Sequence, residues 1–510
     1  MRALNILLTI LNNMMNKKRS LAISCLLLSI LITKAQVKNS TVYHEQYRPQ
    51  VHFSPKEKWT NDPNGMVYYK GVYHLFFQYY PKDIVWGPMH WGHAVSSDLV
   101  HWRQLPIALY PDSLGYIFSG SAVVDYKNTS GFGKNGKIPL VAIFTHHDPK
   151  LEKAGSNKFQ NESIAYSLDE GKTWTKYAGN PVLKNPGIRD FRDPKVSWYA
   201  PGHKWLMTLA TKDRVTFYSS PDLKNWIKES EFGQSAGAHG GVWECPDLFP
   251  LTLDGKTMWV LLVSINPGGP NGGSATQYFI GNFDGKTFTP MNSRTKWIDY
   301  GPDDYAGVTW GNTGSRKIFL GWMSNWLYAN QVPTKTWRNA MTIPRELALK
   351  RVGDDILLTS IPVKEIAGIS LKPVKNPSLK IGVPSQFMLS FSAGEIMDYT
   401  VVLSNKAGEE LKLGYRKNDN SYFIDRSHSG ETDFNSSFVK ALTANRLAAT
   451  KACSLTLVAD ASSIELFADG GLTNMTAVFF PGPGFDHLQI INGKGMLIRN
   501  LKLVPLRSIW

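Results

Sequence analysis

Cysteine is nearly missing: the 510 residues hold three. One of them, Cys25, lies in an N-terminal apolar stretch, which leaves Cys245 and Cys453 for the remainder. Two cysteines make no disulfide framework, and nothing has the spacing of a zinc site. Charge is also sparse, with 19% Asp, Glu, Lys and Arg. Beyond residue 35 there are 51 basic and 41 acidic residues, dispersed and without a basic run. That excludes a nucleic-acid-binding tract, and the net +10 reads as solubility or affinity for an anionic envelope. Long amphipathic helical patterns are lacking over the first two thirds, which excludes a helical bundle. The apolar run Leu21 to Ile32 is twelve residues, too short to span a bilayer.

That run follows Lys17-Lys-Arg19 and precedes Thr33-Lys-Ala35, the pattern of a secretory signal with cleavage after Ala35. The expectation is an exported protein, periplasmic or extracellular, with residues 1–35 removed and no membrane-spanning segment in the mature chain. Methionines at 14 and 15 offer alternative starts.

Aromatics and turn formers are abundant: 16 Trp, 21 Tyr, 24 Phe, 43 Gly and 29 Pro. The mixture suits an all-β protein, and aromatic faces stack well on sugar rings. Three carboxylates sit in stiff, aromatic-flanked motifs: Asp62 in Trp59-Thr-Asn-Asp-Pro-Asn-Gly65, Asp193 in Phe191-Arg-Asp-Pro194 and Glu244 in Trp243-Glu-Cys-Pro-Asp247. Proline fixes its own φ and pushes the residue before it towards an extended conformation, which gives an acid a fixed direction. Three such acids point to a glycosidase-type site. Histidines cluster at His90 and His93 and at His146-His147. A metal site is one reading; packing or substrate contact is the reading adopted.

A pattern of Ser or Asn, an Asp turn and an aromatic recurs as Ser97-Asp98 to Trp102, Ser167 to Trp174, Ser220 to Trp226 and Asn282 to Phe288. The period of some 50–70 residues is enough for four strands and predicts propeller blades. Four copies plus a blade shared between the two ends, around 45–80 and 310–360, make five. Inner strands of a propeller converge on one channel, which would bring the three acids together. Beyond Ile361-Pro362 alternating strands such as Gln386–Phe391, Ser463–Phe467 and Met475–Phe480 predict a β-sandwich. Glu465 and Asp469 read there as strand-face and turn residues. The expected organisation is a signal at 1–35, a five-bladed β-propeller over 36–360 and a β-sandwich over 368–510.

The three acid motifs, with Trp86-Gly-Pro-Met-His-Trp-Gly-His93, Phe118-Ser-Gly-Ser121 and Ser463-Ile-Glu-Leu-Phe467, resemble glycoside hydrolase family 32, the β-fructofuranosidases. The segment Ser264–Ser274 is closer to exo-acting inulinases and levanases than to plant invertases, and Thr60 replaces the methionine usual in the first motif. The resemblance implies a five-bladed propeller followed by a sandwich and a retaining mechanism without cofactor or metal. In it Asp62 would be the nucleophile, Glu244 the general acid/base and Asp193 a transition-state stabiliser. Asn61, Gln78, Trp86, Ser121, Arg192 and Trp326 match positions lining the family's fructose pocket. The substrate would be levan, inulin or sucrose.

Local sequence also suggests charge states. Asn61 and Asn64 should hold Asp62 ionised, apolar neighbours should hold Glu244 protonated, and Arg192 should keep Asp193 charged. Rival readings are a fructosyltransferase, an inverting arabinan-type propeller hydrolase and a non-catalytic carbohydrate-binding propeller.

Overall fold

The computed structural model describes residues 43–438 and 441–510. The proposed signal lies outside the described residues. Residues from Pro49 to Trp510 form one compact unit.

Five antiparallel sheets run from Lys58 to Pro362, each starting on an inner strand and stepping outward. The inner strands are Lys58–Tyr69, Tyr116–Val124, Phe191–Tyr199, Val242–Leu253 and Tyr305–Thr309, and they meet one another around the propeller axis. The chain is therefore a five-bladed β-propeller followed by a β-sandwich. The repeated Asp turns join the third and fourth strands of the first four blades. In each the carboxylate caps backbone N–H groups ahead of it: Asp98 accepts from Val100 and His101, Asp169 from Thr173, Asp222 from Lys224 and Asn225, and Asp284 from Lys286 and Thr287. This is the Asx-turn chemistry that makes aspartate a hairpin signal. The aromatic that follows packs against a neighbouring core, as buried Trp102 and Phe288 do.

The fifth blade differs from expectation. The fifth blade is not built from both ends: Lys58–Leu109 supplies all four antiparallel strands of the first blade, Tyr305–Pro362 those of the last, and the two ends share a sheet only through the short strand Trp337–Arg338, which adds to the first blade. The ring closes through this two-residue parallel pairing, Lys58 with Trp337 and Trp59 with Arg338. Successive short hairpins satisfy the first blade locally, so no distant strand is needed to complete it.

The sandwich packs a six-stranded sheet on a five-stranded one, with buried Phe387, Leu389, Val401, Leu413, Leu457 and Leu466 between them. Buried ions tie it to the propeller. Arg345 of the fifth blade donates to Glu465 and to Asp299 and Asp304 at 2.8 and 3.0 Å, and His52 bridges Asp460 and Glu465 at 2.7 Å each. Glu465, expected on a strand face, is a fully buried interdomain anchor. Asp469 ties Arg446 and Tyr422 within the sandwich.

Candidate active site

Each inner strand carries a one-residue bulge at the same depth. Between Thr60 and Pro63, Ile117 and Gly120, Arg192 and Lys195, Glu244 and Asp247, and Tyr305 and Val308, the pairing register slips against the next strand. A bulge bends its strand and re-aims side chains. Asp193, Cys245 and Ala306 occupy corresponding positions with φ of 66°, 45° and 53°. Pro194 and Pro246 fall in the same bulges, where a missing N–H does not break the ladder. Asp193 and Cys245, the residues directly before Pro194 and Pro246, are therefore left-handed and not extended as the prolines alone predict, because the bulge sets their backbone.

The bulges surround a cavity of about 280 Å³ lined by Asp62, Asp193 and Glu244 together. Of the other expected residues, Asn61, Gln78, Trp86, Arg192 and Trp326 also line it. Ser121 does not. Its buried hydroxyl donates to the Pro194 carbonyl and accepts from Val196 N–H, both at 2.9 Å, pinning the second blade to the third. Strand alternation alone would put Ser119 and Ser121 on one face; the bulge between Ile117 and Gly120 turns Ser119 into the cavity, where its hydroxyl donates to Asp62 Oδ2 at 2.7 Å.

Asp62 Oδ1 accepts from Asn61 Nδ2 at 2.8 Å, and Trp59 Nε1 in turn donates to Asn61 Oδ1 at 2.8 Å. Asn64 reaches only the Asp62 backbone carbonyl, at 3.4 Å. Burial raises the Asp62 pKa and the charge of Glu244 adds to the rise, against the hydrogen bonds of Ser119 and Asn61. The expected depression is overturned because desolvation outweighs two hydrogen bonds.

Glu244 has polar rather than apolar partners: Arg192 Nη2 donates to Oε1 at 2.9 Å, and the Tyr305 hydroxyl donates to Oε2. Arg192 Nη1 donates to Asp190 at 2.7 Å, while its Nε is 4.0 Å from Asp193. Arg192 therefore serves Glu244 first. Burial pushes Asp193 up to about 7; Arg192 opposes the rise, and Glu244 and Asp62 add to it. Asp193 is oriented by backbone: its N–H donates to Thr145 Oγ1 at 3.1 Å, and its Oδ2 accepts from Cys245 N–H at 3.0 Å. The Cys245 thiol lies 3.6 Å from Asp62 Oδ2 and 3.7 Å from Asp193 Oδ2. Five carboxyl groups (Asp62, Glu152, Asp190, Asp193 and Glu244) against two guanidinium groups (Arg189 and Arg192) line the cavity, an acidic balance suited to a neutral ligand that becomes cationic as it reacts.

Among the described residues no group of three or more His, Cys, Asp and Glu is arranged to hold a metal ion. His93 packs against His74 and Phe76. His147 belongs to the cavity wall. The sequence reading missed Ser119, Tyr305, Cys245 and Thr145; aligning the five bulged strands would have found the first three, but Thr145 stands on the neighbouring strand Leu140–His147 and left no such signal.

The glycosyl hydrolases family 32 N-terminal domain matches residues 52–360, and the family 32 C-terminal domain matches 364–505. The chain belongs to glycosyl hydrolase family 32. It is a glycoside hydrolase. It is similar to a levanase of Bacillus subtilis (strain 168), 45% identical over 97% of this chain and 76% of that protein. An extracellular exo-inulinase of Aspergillus awamori is 41% identical over 89% and 93% of the two chains. A crystal structure of exo-inulinase from Aspergillus awamori superposes with a TM-score of 0.85 at 38% identity, covering 92% of this chain and all (100%) of that one. Within a family 32 enzyme, the five bulges act as a frame that aims acids from three blades into one cavity.

Proposed function

We propose that the enzyme removes terminal β-D-fructofuranosyl residues from levan, inulin or sucrose with retention of configuration. The observation that carries this reading is that Asp62 and Glu244 face one small cavity with opposite kinds of partner. Asp62 is steered by two neutral donors, Asn61 and Ser119, which leave its charge for the substrate. Glu244 is held by Arg192 and Tyr305, which fix its direction. The levanase and exo-inulinase relatives support fructan as the substrate class.

In the first step Asp62 attacks the anomeric carbon while Glu244 gives its proton to the departing oxygen. In the second, Glu244 takes a proton from water, which displaces Asp62. Both steps pass through a ring carbon with cationic character. That charge is stabilised by Asp62 and Asp193 and by the negative charge that develops on Glu244 as it gives up its proton, which makes the cavity complementary to the transition state. Asp193 accepts hydrogen bonds from fructose hydroxyls. Gln78, buried on the cavity wall with no partner for Nε2 among the described residues, donates to another. Trp86 and Trp326 supply flat apolar faces.

The test is incubation of purified protein with levan, inulin and sucrose, with products separated over time and the first anomer read by NMR. Free fructose from the outset, first seen as the β-furanose, is the expected result. The α anomer first would remove the double displacement, lengthened products would mean transfer, and no product would leave a carbohydrate-binding protein. We further infer that residues 1–35 direct export, a reading supported by the extracellular relative. N-terminal sequencing of protein from the culture fluid should begin at Gln36.

A further inference from the structure

One wall of the cavity plays no part in the steps above. It is made by the five-residue helix Pro149–Lys153, between the second and third strands of the second blade, and by Arg189 at the entry to the third.

A chain of hydrogen bonds fixes the chemistry of this wall. Phe191 N–H donates to Gln160 Oε1 at 2.9 Å, so the amide nitrogen of Gln160 points the other way, to His147 Nδ1 at 3.3 Å. An amide nitrogen only donates, so Nδ1 is the bare nitrogen and the imidazole proton sits on Nε2. From there it donates to Glu152 Oε2 at 3.0 Å. Burial holds the His147 pKa below its ordinary value, which keeps the ring neutral and the tautomer defined. Phe118 stacks on that ring with centroids 4.3 Å apart and planes at 13°. Glu152 thus has one oxygen tethered. The other meets only a loose ion pair, with Arg189 Nη2 at 3.8 Å.

The wall also lies on a definite side of the reaction. Glu244 is bonded to Arg192, and Arg192 to Asp190, which directly follows Arg189. A retaining enzyme brings nucleophile and acid to opposite faces of the scissile bond. The leaving group therefore departs on the side of Glu244, in the cavity that Arg189 and Glu152 also line. There a carboxyl acceptor and a guanidinium donor stand side by side, a pair suited to neighbouring hydroxyls of a neutral sugar.

We propose that Glu152 and Arg189 bind the first sugar of the leaving group and set the preference among leaving groups. This rests on the fructosidase reading above. The experiment compares sucrose and a short fructan with an aryl β-D-fructofuranoside, whose leaving group carries no sugar hydroxyls. For Glu152→Ala and Arg189→Ala the ratio of kcat/KM for sucrose to that for the aryl substrate should fall about tenfold, the scale of one hydrogen bond to a charged group. The loss should appear mainly in KM, with Glu152→Gln intermediate. Equal losses on all three substrates, or no change in either variant, would overturn the inference. Wild-type protein inactive on every fructoside would overturn the proposed function itself, a distinguishable failure.

Discussion

The backbone N–H of Cys245 donates to Asp193 Oδ2 at 3.0 Å. The residue after one acid therefore holds the acid of the preceding blade in place, and it does so from a bulge where Cys245 has φ of 45°. Its thiol also lies between Asp62 and Asp193. Cys245→Ser substitutes a stronger donor for a weak one while leaving the backbone bond intact. It should stabilise the ionised carboxylates and move the acid limb of the kcat/KM–pH profile to lower pH. An unmoved limb would show that the thiol does not tune them.

Asp62 and Glu244 carry the proposed chemistry. Asp62→Ala and Glu244→Ala should each lower kcat on sucrose by about 10³-fold, within the range for loss of a positioned acid or nucleophile. Circular dichroism should show an intact fold. Substantial residual activity in either variant would refute its role.

Tyr305 donates to Glu244 from the fifth blade. Tyr305→Phe should lower kcat about tenfold with KM little changed, because the bond orients the acid rather than binding sugar. A rise in KM alone would place Tyr305 in the binding of substrate instead.

His52 predicts how stability varies with pH. Burial alone would lower its pKa, but the carboxylates of Asp460 and Glu465 raise it to about 9. A folded value above the unfolded one stabilises fully below the unfolded pKa, near 6.5, and the gain disappears as pH rises through about 9. The whole effect is about 3 kcal/mol. Thermal unfolding should show Tm falling across that window, with the slope flattened in His52→Gln.

Arg345 is ion-paired with Glu465, Asp299 and Asp304 in a fully buried cluster. Arg345→Met should cost about 3–5 kcal/mol because it leaves buried charge uncompensated. Urea unfolding would measure this. A loss under about 1 kcal/mol would mean that water reaches the cluster.

Much of this was legible in the chain itself. The Asp turns report local hydrogen bonding within a few residues, so their spacing alone revealed the blades. The prolines after Asp193 and Glu244 fall in the bulges, but the extended backbone expected before them is not found: Asp193 and Cys245 have φ of 66° and 45°. Residues that choose partners across blades were not legible. Ser119 reaches Asp62 and Tyr305 reaches Glu244 only because bulges re-aim strands that are distant in sequence. The charge states were misjudged for the same reason: the flanking residues of Asp62 suggested a depressed pKa, whereas burial and Glu244 decide it. Hydrogen bonds between near neighbours are written in sequence, but desolvation and the sum of charges around a cavity exist only once the propeller has closed.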